Sequence, residues 1–158
     1  MSQFKGFFDL QEPADLLTKL EYDYNRLLSS SNKRVYAAFD FFITGYHMLD
    51  WVYPGDENIN KRKSEENKYI LLQVCSHIAN GVKHFQATRP QHNSISHADH
   101  MDSSFQLDAS QTDSFQTGYF VELTGDAAKC LGTQITCEAL AEKVLEFWQN
   151  HEYFSQPG

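Results

Sequence analysis

Apolar residues recur at two different periods along this chain, and the change of period divides it. From Glu12-Pro13 onward, Leu16, Leu17, Leu20, Tyr24, Leu27 and Leu28 follow helical spacing, with proline suited to the first turn. This predicts a helix over 12–30, ended by Ser29-Ser30-Ser31-Asn32, whose side chains suit the cap of the next helix. A second helix is predicted over 33–53. Val35, Phe39, Phe42, Tyr46, Leu49 and Tyr53 line one side, and Ala38, Phe41, Gly45, Met48 and Val52 another. A helix apolar on two faces is expected to be mostly buried. Pro54-Gly55-Asp56 stops it, and 55–67 reads as a solvated loop. Leu71, Val74, Ile78, Val82 and Phe85 predict a third helix over 65–87, closed by Arg89-Pro90.

Beyond residue 88 the pattern becomes polar, and then alternates. Phe115, Thr117, Tyr119, Val121 and Leu123 have strand spacing; so do Leu131, Thr133, Ile135 and Cys137, after a turn at Thr124-Gly125-Asp126. A hairpin over 115–136 follows, with Phe105 and Leu107 as a candidate third strand. Leu140, Val144, Phe147 and Trp148 return to helical spacing and predict a last helix over 137–153. The expected fold is mainly α. It is an up-and-down bundle of about four helices in a single domain, 1–158, with a polar loop and small antiparallel β-hairpin inserted at 88–136.

Charge adds an asymmetry. Residues 1–89 carry 11 acids and 11 bases, whereas 90–158 carry 10 acids against Lys129 and Lys143, so the whole formal charge of −8 lies in the second part. A nucleic-acid partner is disfavoured by that charge, and would fit only the balanced half. Cys75, Cys130 and Cys137 form no C-x-x-C pair, so neither a zinc knuckle nor a disulfide framework is expected. The opening MSQFKGFFDL has no apolar core of a signal peptide, and Asp40, Thr44, His47 and Asp50 interrupt the longest apolar stretch. A cytoplasmic protein without a membrane span is the expectation.

Three groups of residues bear chemistry. Asp40, Thr44, His47 and Asp50 recur along the second helix, and Gln73, His77, Asn80 and His84 along the third, with Lys83 beside them. Buried polar groups need partners, and a short connection makes the two helices neighbours. The stripes then either face one cavity or serve only as packing: a His47–Asp50 hydrogen bond within the helix, and Lys83 and His84 set against the dipole at a helix end. Histidine and carboxylate together suit acid–base work or metal binding. The third group is the loop 88–103, where His92, His97, His100, Asp99 and Asp102 have spacings a transition metal would accept, although such loops are more often simply solvated. H-E-x-x-H, G-x-S-x-G, a glycine-rich phosphate loop and the dinucleotide fingerprint are absent, as is the Glu-x-x-His of di-iron bundles. The sequence names no cofactor.

The runs FDFFITGYHMLDWV and LLQVCSHIANGVKHF, with the closing LEFWQNH, resemble small bacterial and phage-associated helical proteins of the HEPN-like, abortive-infection type. The resemblance covers about 33–87 and 137–153 and falls on His47, Asp50, Trp51, Asn80, Lys83 and His84. It implies a helical bundle, often a homodimer, in a phage-defence or toxin–antitoxin setting. Many members are metal-independent ribonucleases with an Arg-x4–6-His motif. That motif is missing here, because Arg26, Arg34 and Arg62 precede no histidine at that spacing and Arg89 falls too close to His92 and too far from His97. The leading expectation is therefore association as a homodimer. The alternatives are a nuclease-like enzyme with His47, Asp50, Asn80, Lys83 and His84 as its catalytic set, and a metal-binding bundle using His47, His77 or His84.

Overall fold

The computed structural model describes residues 5–29, 33–84, 94–101 and 118–155, the side chains of 84 and 97–101 excepted. Its helices are α1 (Pro13–Leu28), α2 (Arg34–Val52), α3 (Ile59–Lys68), α4 (Ile70–His84), α5 (Gly125–Leu131), α6 (Cys137–Gln149) and α7 (Glu152–Ser155). Strands β1 (Ile95–Met101), β2 (Gly118–Leu123) and β3 (Gln134–Thr136) form one antiparallel sheet in the order β1-β2-β3. The mainly helical bundle with a small antiparallel sheet is as the spacing predicts.

Local chemistry sets the helix ends. Pro13 opens α1, and Asp15 Oδ2 accepts the Glu12 backbone N–H at 3.0 Å. Thr136 caps α6 by accepting the Ala139 N–H. α1 and α2 run antiparallel, since Lys19 reaches Thr44 while Arg26 reaches Asp40. α6 runs in the same direction as α2: Arg34 pairs with Glu138 and Gly45 with Trp148. The intervening sheet makes that parallel return feasible, so the bundle departs from a strict up-and-down order. Leu20, Leu27, Phe41, Met48, Leu72, Val74, Leu140, Val144 and Trp148 are the fully buried centre.

Five expectations need correction. The predicted third helix is two helices, α3 and α4, broken at Tyr69, whose backbone is extended (φ −114°, ψ 116°). No proline or glycine marks the break; the Tyr69 ring instead packs edge-on against Phe147 at 4.9 Å, with the Lys68 ammonium 4.7 Å from its centroid. The solvated loop expected at 55–67 is helical, a 3-10 turn over Asp56–Asn58 leading into α3 at Ile59. Its Lys, Arg and Glu residues are good helix formers that lack an apolar stripe. Within the His-rich region, residues 95–101 form β1, paired with β2. The two predicted strands of the hairpin do pair, Val121 opposite Ile135, but α5 replaces the tight turn, and Gly132 at φ 89° ends that helix where a side chain would be strained. The proposed strand at Phe105 and Leu107 lies outside the described residues. The last helix ends at Gln149, with α7 as a separate turn.

The second helix also differs. Of the predicted face Val35, Phe39, Phe42, Tyr46, Leu49 and Tyr53, only the start is open: Val35 and Phe39 are exposed, with Tyr36 beside them, whereas Phe42 and Leu49 are buried. Among the described residues, no helix is long and apolar enough to cross a membrane.

Candidate functional site

The stripe on α2 divides. At 100° per residue, Asp40, Thr44, His47 and Asp50 fan over about 120° of the helix surface. Asp40 and buried Thr44 turn toward α1. There the buried Asp23 carboxylate meets Lys19 at 2.5 Å and Arg26 at 3.0 Å, Lys19 also donates to Thr44 Oγ1 at 2.9 Å, and Arg26 reaches Asp40 at 2.9 Å. This is a charged clasp between α1 and α2, and it satisfies every charge taken from water.

His47 and Asp50 turn the other way, into a groove of about 1110 Å3 between α2, α3 and α4 that also reaches Asp126 of α5. His47 Nδ1 lies 3.0 Å from Asp50 Oδ2, and Arg62 Nε lies 3.3 Å from the other oxygen, Oδ1. Arg62 is itself anchored, donating to the backbone carbonyls of Tyr53 at 2.6 Å and Gly55 at 2.8 Å. The result is an ordered chain, Arg62–Asp50–His47. With Nδ1–H donated to Asp50, Nε2 is the ring position of His47 left open among the described residues. His47 and Asp50 are 54% and 51% exposed, so the pair is not a device for fixing buried helix packing.

Asn80 and Lys83 of α4 line the same groove. Asn80 donates to Ser76 O at 2.8 Å, which leaves its carbonyl oxygen available. The cations Arg62, Lys63 and Lys83 share the groove with Asp50, Glu66 and Asp126. Asp126 is tied to Lys129 at 2.8 Å, and that ammonium holds its carboxyl below the ordinary range. Phe39, Ile43, Ile59 and Val82 supply apolar wall.

Of the predicted residues, then, His47, Asp50, Asn80 and Lys83 share one groove, while the side chain of His84 lies outside the described residues. Gln73 lines the groove and donates to Asn67 O. His77 is not part of it. His77 is buried against β1, where its Nδ1 accepts the Ile95 N–H at 3.2 Å and lies 3.1 Å from Ser94 Oγ. It pins the start of the sheet to α4. The side chains of His97, Asp99 and His100 and all of His92 and Asp102 lie outside the described residues. Among the described residues, no group of three or more histidine, cysteine, aspartate or glutamate side chains is placed to hold a metal ion.

Two features were not expected from the sequence. Arg62 falls in a stretch without apolar period, and nothing local marks it as the anchor of Asp50. The second is a buried pair, Glu65 of α3 and His151 between α6 and α7, 3.8 Å apart; Glu65 sits in a run of charged residues that reads as solvated. No family model, no curated protein and no solved structure matches the chain.

Proposed function

We propose that this protein is a HEPN-like association domain that works as a homodimer through the open face of α2, in a phage-defence or toxin–antitoxin setting. The observation that carries the reading is α2 itself. The helix is apolar nearly all round, a property of buried helices, yet Tyr36 and Phe39 are exposed, with half-buried Ile43 and Tyr46 beside them. A second copy suits this face because an isologous contact needs a self-complementary surface. Two α2 helices related by a twofold axis perpendicular to them run antiparallel. The exposed Lys33 at the start of one then lies toward Asp50 at the end of the other, with the aromatic and aliphatic residues between. Phe39→Asp places a charge at the middle of the face, and sedimentation velocity should show it shifting the protein from dimer to monomer.

A second reading is favoured by the chain Arg62–Asp50–His47. A histidine oriented by a carboxylate, facing a groove with Lys83 and Asn80, is the arrangement of a general base beside groups that stabilise negative charge. It supports a nuclease-like enzyme. Cleavage of single-stranded RNA without added metal, lost in His47→Ala, is its test; no cleavage by the unmodified protein counts against it.

A further inference from the structure

His151 occupies the corner between α6 and α7 and does two jobs with its two ring nitrogens. Its backbone carbonyl accepts the N–H groups of Phe154 at 2.9 Å and Ser155 at 3.2 Å, which makes it the N-cap residue of α7. Its side chain completes the cap, because Nδ1 accepts the Tyr153 N–H at 3.2 Å. A nitrogen that accepts carries no proton, so the ring is neutral with its proton on Nε2. Nε2 faces Glu65 at 3.8 Å, and the two side chains are only 4% and 7% exposed.

The surroundings are mostly rings. Trp148, Phe147 and Tyr53 lie with centroids 5.1, 5.7 and 6.3 Å from that of His151. The charged and titratable groups near the ring come from each packed element. α3 supplies Glu65 and Lys61, the latter 3.6 Å from Glu65. Tyr53 follows α2, and Glu152 belongs to α7. Tyr69, between α3 and α4, and Lys143 and Glu146 of α6 line the adjoining cavity of about 660 Å3.

We propose that His151 is a pH-operated latch for the carboxy-terminal turn. Neutral, it caps α7 and seats it on the bundle; protonated at Nδ1, it releases α7. The proton has one place to go. Nε2 already carries one, so acid must protonate Nδ1, and the new N–H then points at the Tyr153 N–H. The cap bond becomes a donor–donor clash that only movement of α7 relieves. Burial opposes the charge and holds the His151 pKa below the ordinary 6.5, against the pull of Glu65 and Glu152. Glu65 is thus the counter-ion that opposes this lowering.

The test is NMR on the full chain between pH 7.5 and 4.5, following the His151 ring and the exchange protection of the Tyr153, Phe154 and Ser155 amides. Protection, corrected for the intrinsic pH dependence of exchange, should fall at least about fivefold, the loss expected when a cap is removed, with the midpoint at which the ring titrates. His151→Asn retains an acceptor at the cap and cannot titrate, so its α7 should stay protected throughout. Should His151→Asn fail to fold, Glu65→Gln should lower the midpoint, because the imidazolium loses its counter-ion. Full protection of α7 while the wild-type ring titrates would overturn the latch. So would release in His151→Asn at the wild-type midpoint, or an unmoved midpoint in Glu65→Gln.

Discussion

The indole N–H of Trp148 donates to the backbone carbonyl of Gly45 at 3.0 Å, across the fully buried crossing of α6 and α2. The contact works because residue 45 has no side chain. A Cβ there would stand 3.2 Å from Val144 Cγ1, closer than comfortable packing. Trp148→Phe removes the donor and part of the ring while leaving the carbonyl buried. We expect a loss of about 1–3 kcal/mol in urea unfolding. A change below about 0.5 kcal/mol would show that the crossing does not depend on this bond.

His47→Ala separates packing from chemistry. The side chain is half exposed and bonds only within its own helix turn, so the unfolding free energy should stay within about 0.5 kcal/mol of wild type. A loss of about 1–3 kcal/mol, as for a buried network left unpaired, would mean that the groove is filled and structural.

Thiol chemistry reports the core. Burial pushes the Cys75 thiol up to about 12 and that of Cys137 up to about 11, while Cys130 is exposed. Since the thiolate is the reactive form, a colorimetric thiol reagent at pH 8 should titrate one cysteine promptly in the folded protein and all three in denaturant. Two or more prompt thiols would contradict the packing of α4 or of α6.

The pH dependence of stability has a definite sign. His151 has a lowered pKa in the folded state, chiefly from burial, so below its ordinary value of 6.5 the unfolded chain binds more protons. Its contribution is present in full above about pH 6.5 and is lost as pH falls through that value toward the folded pKa. Urea midpoints at pH 7.5, 6.0 and 5.0 should therefore fall more in wild type than in His151→Asn. Equal falls would remove His151 from the acid response.

Helices with an apolar stripe were legible from spacing: the stripe of Leu16, Leu20 and Leu27 and that of Leu140, Val144 and Trp148 define α1 and α6. α3 was not, because a helix that is polar all round carries no period, and its place depends on Arg62 and Glu65 meeting partners distant in sequence. Nor was α5, since Thr124-Gly125-Asp126 reads equally as a turn and as a helix start. For the groove, spacing put His47 with Asp50 and Asn80 with Lys83, and the neighbouring of α2 and α4 brings the pairs together. The separation of Asp40 and Thr44 from them follows from the fan of the stripe and from the α1 charges that claim those two residues. The open face of α2 was invisible to spacing, which counts apolar residues and not what covers them.

The most direct test of the central claim is the solution mass by light scattering over a series of micromolar concentrations. Wild type should give twice the 18.2 kDa chain mass. Phe39→Asp should give the monomer. A wild-type protein of 18.2 kDa throughout, or a Phe39→Asp protein as dimeric as wild type, would contradict association through α2.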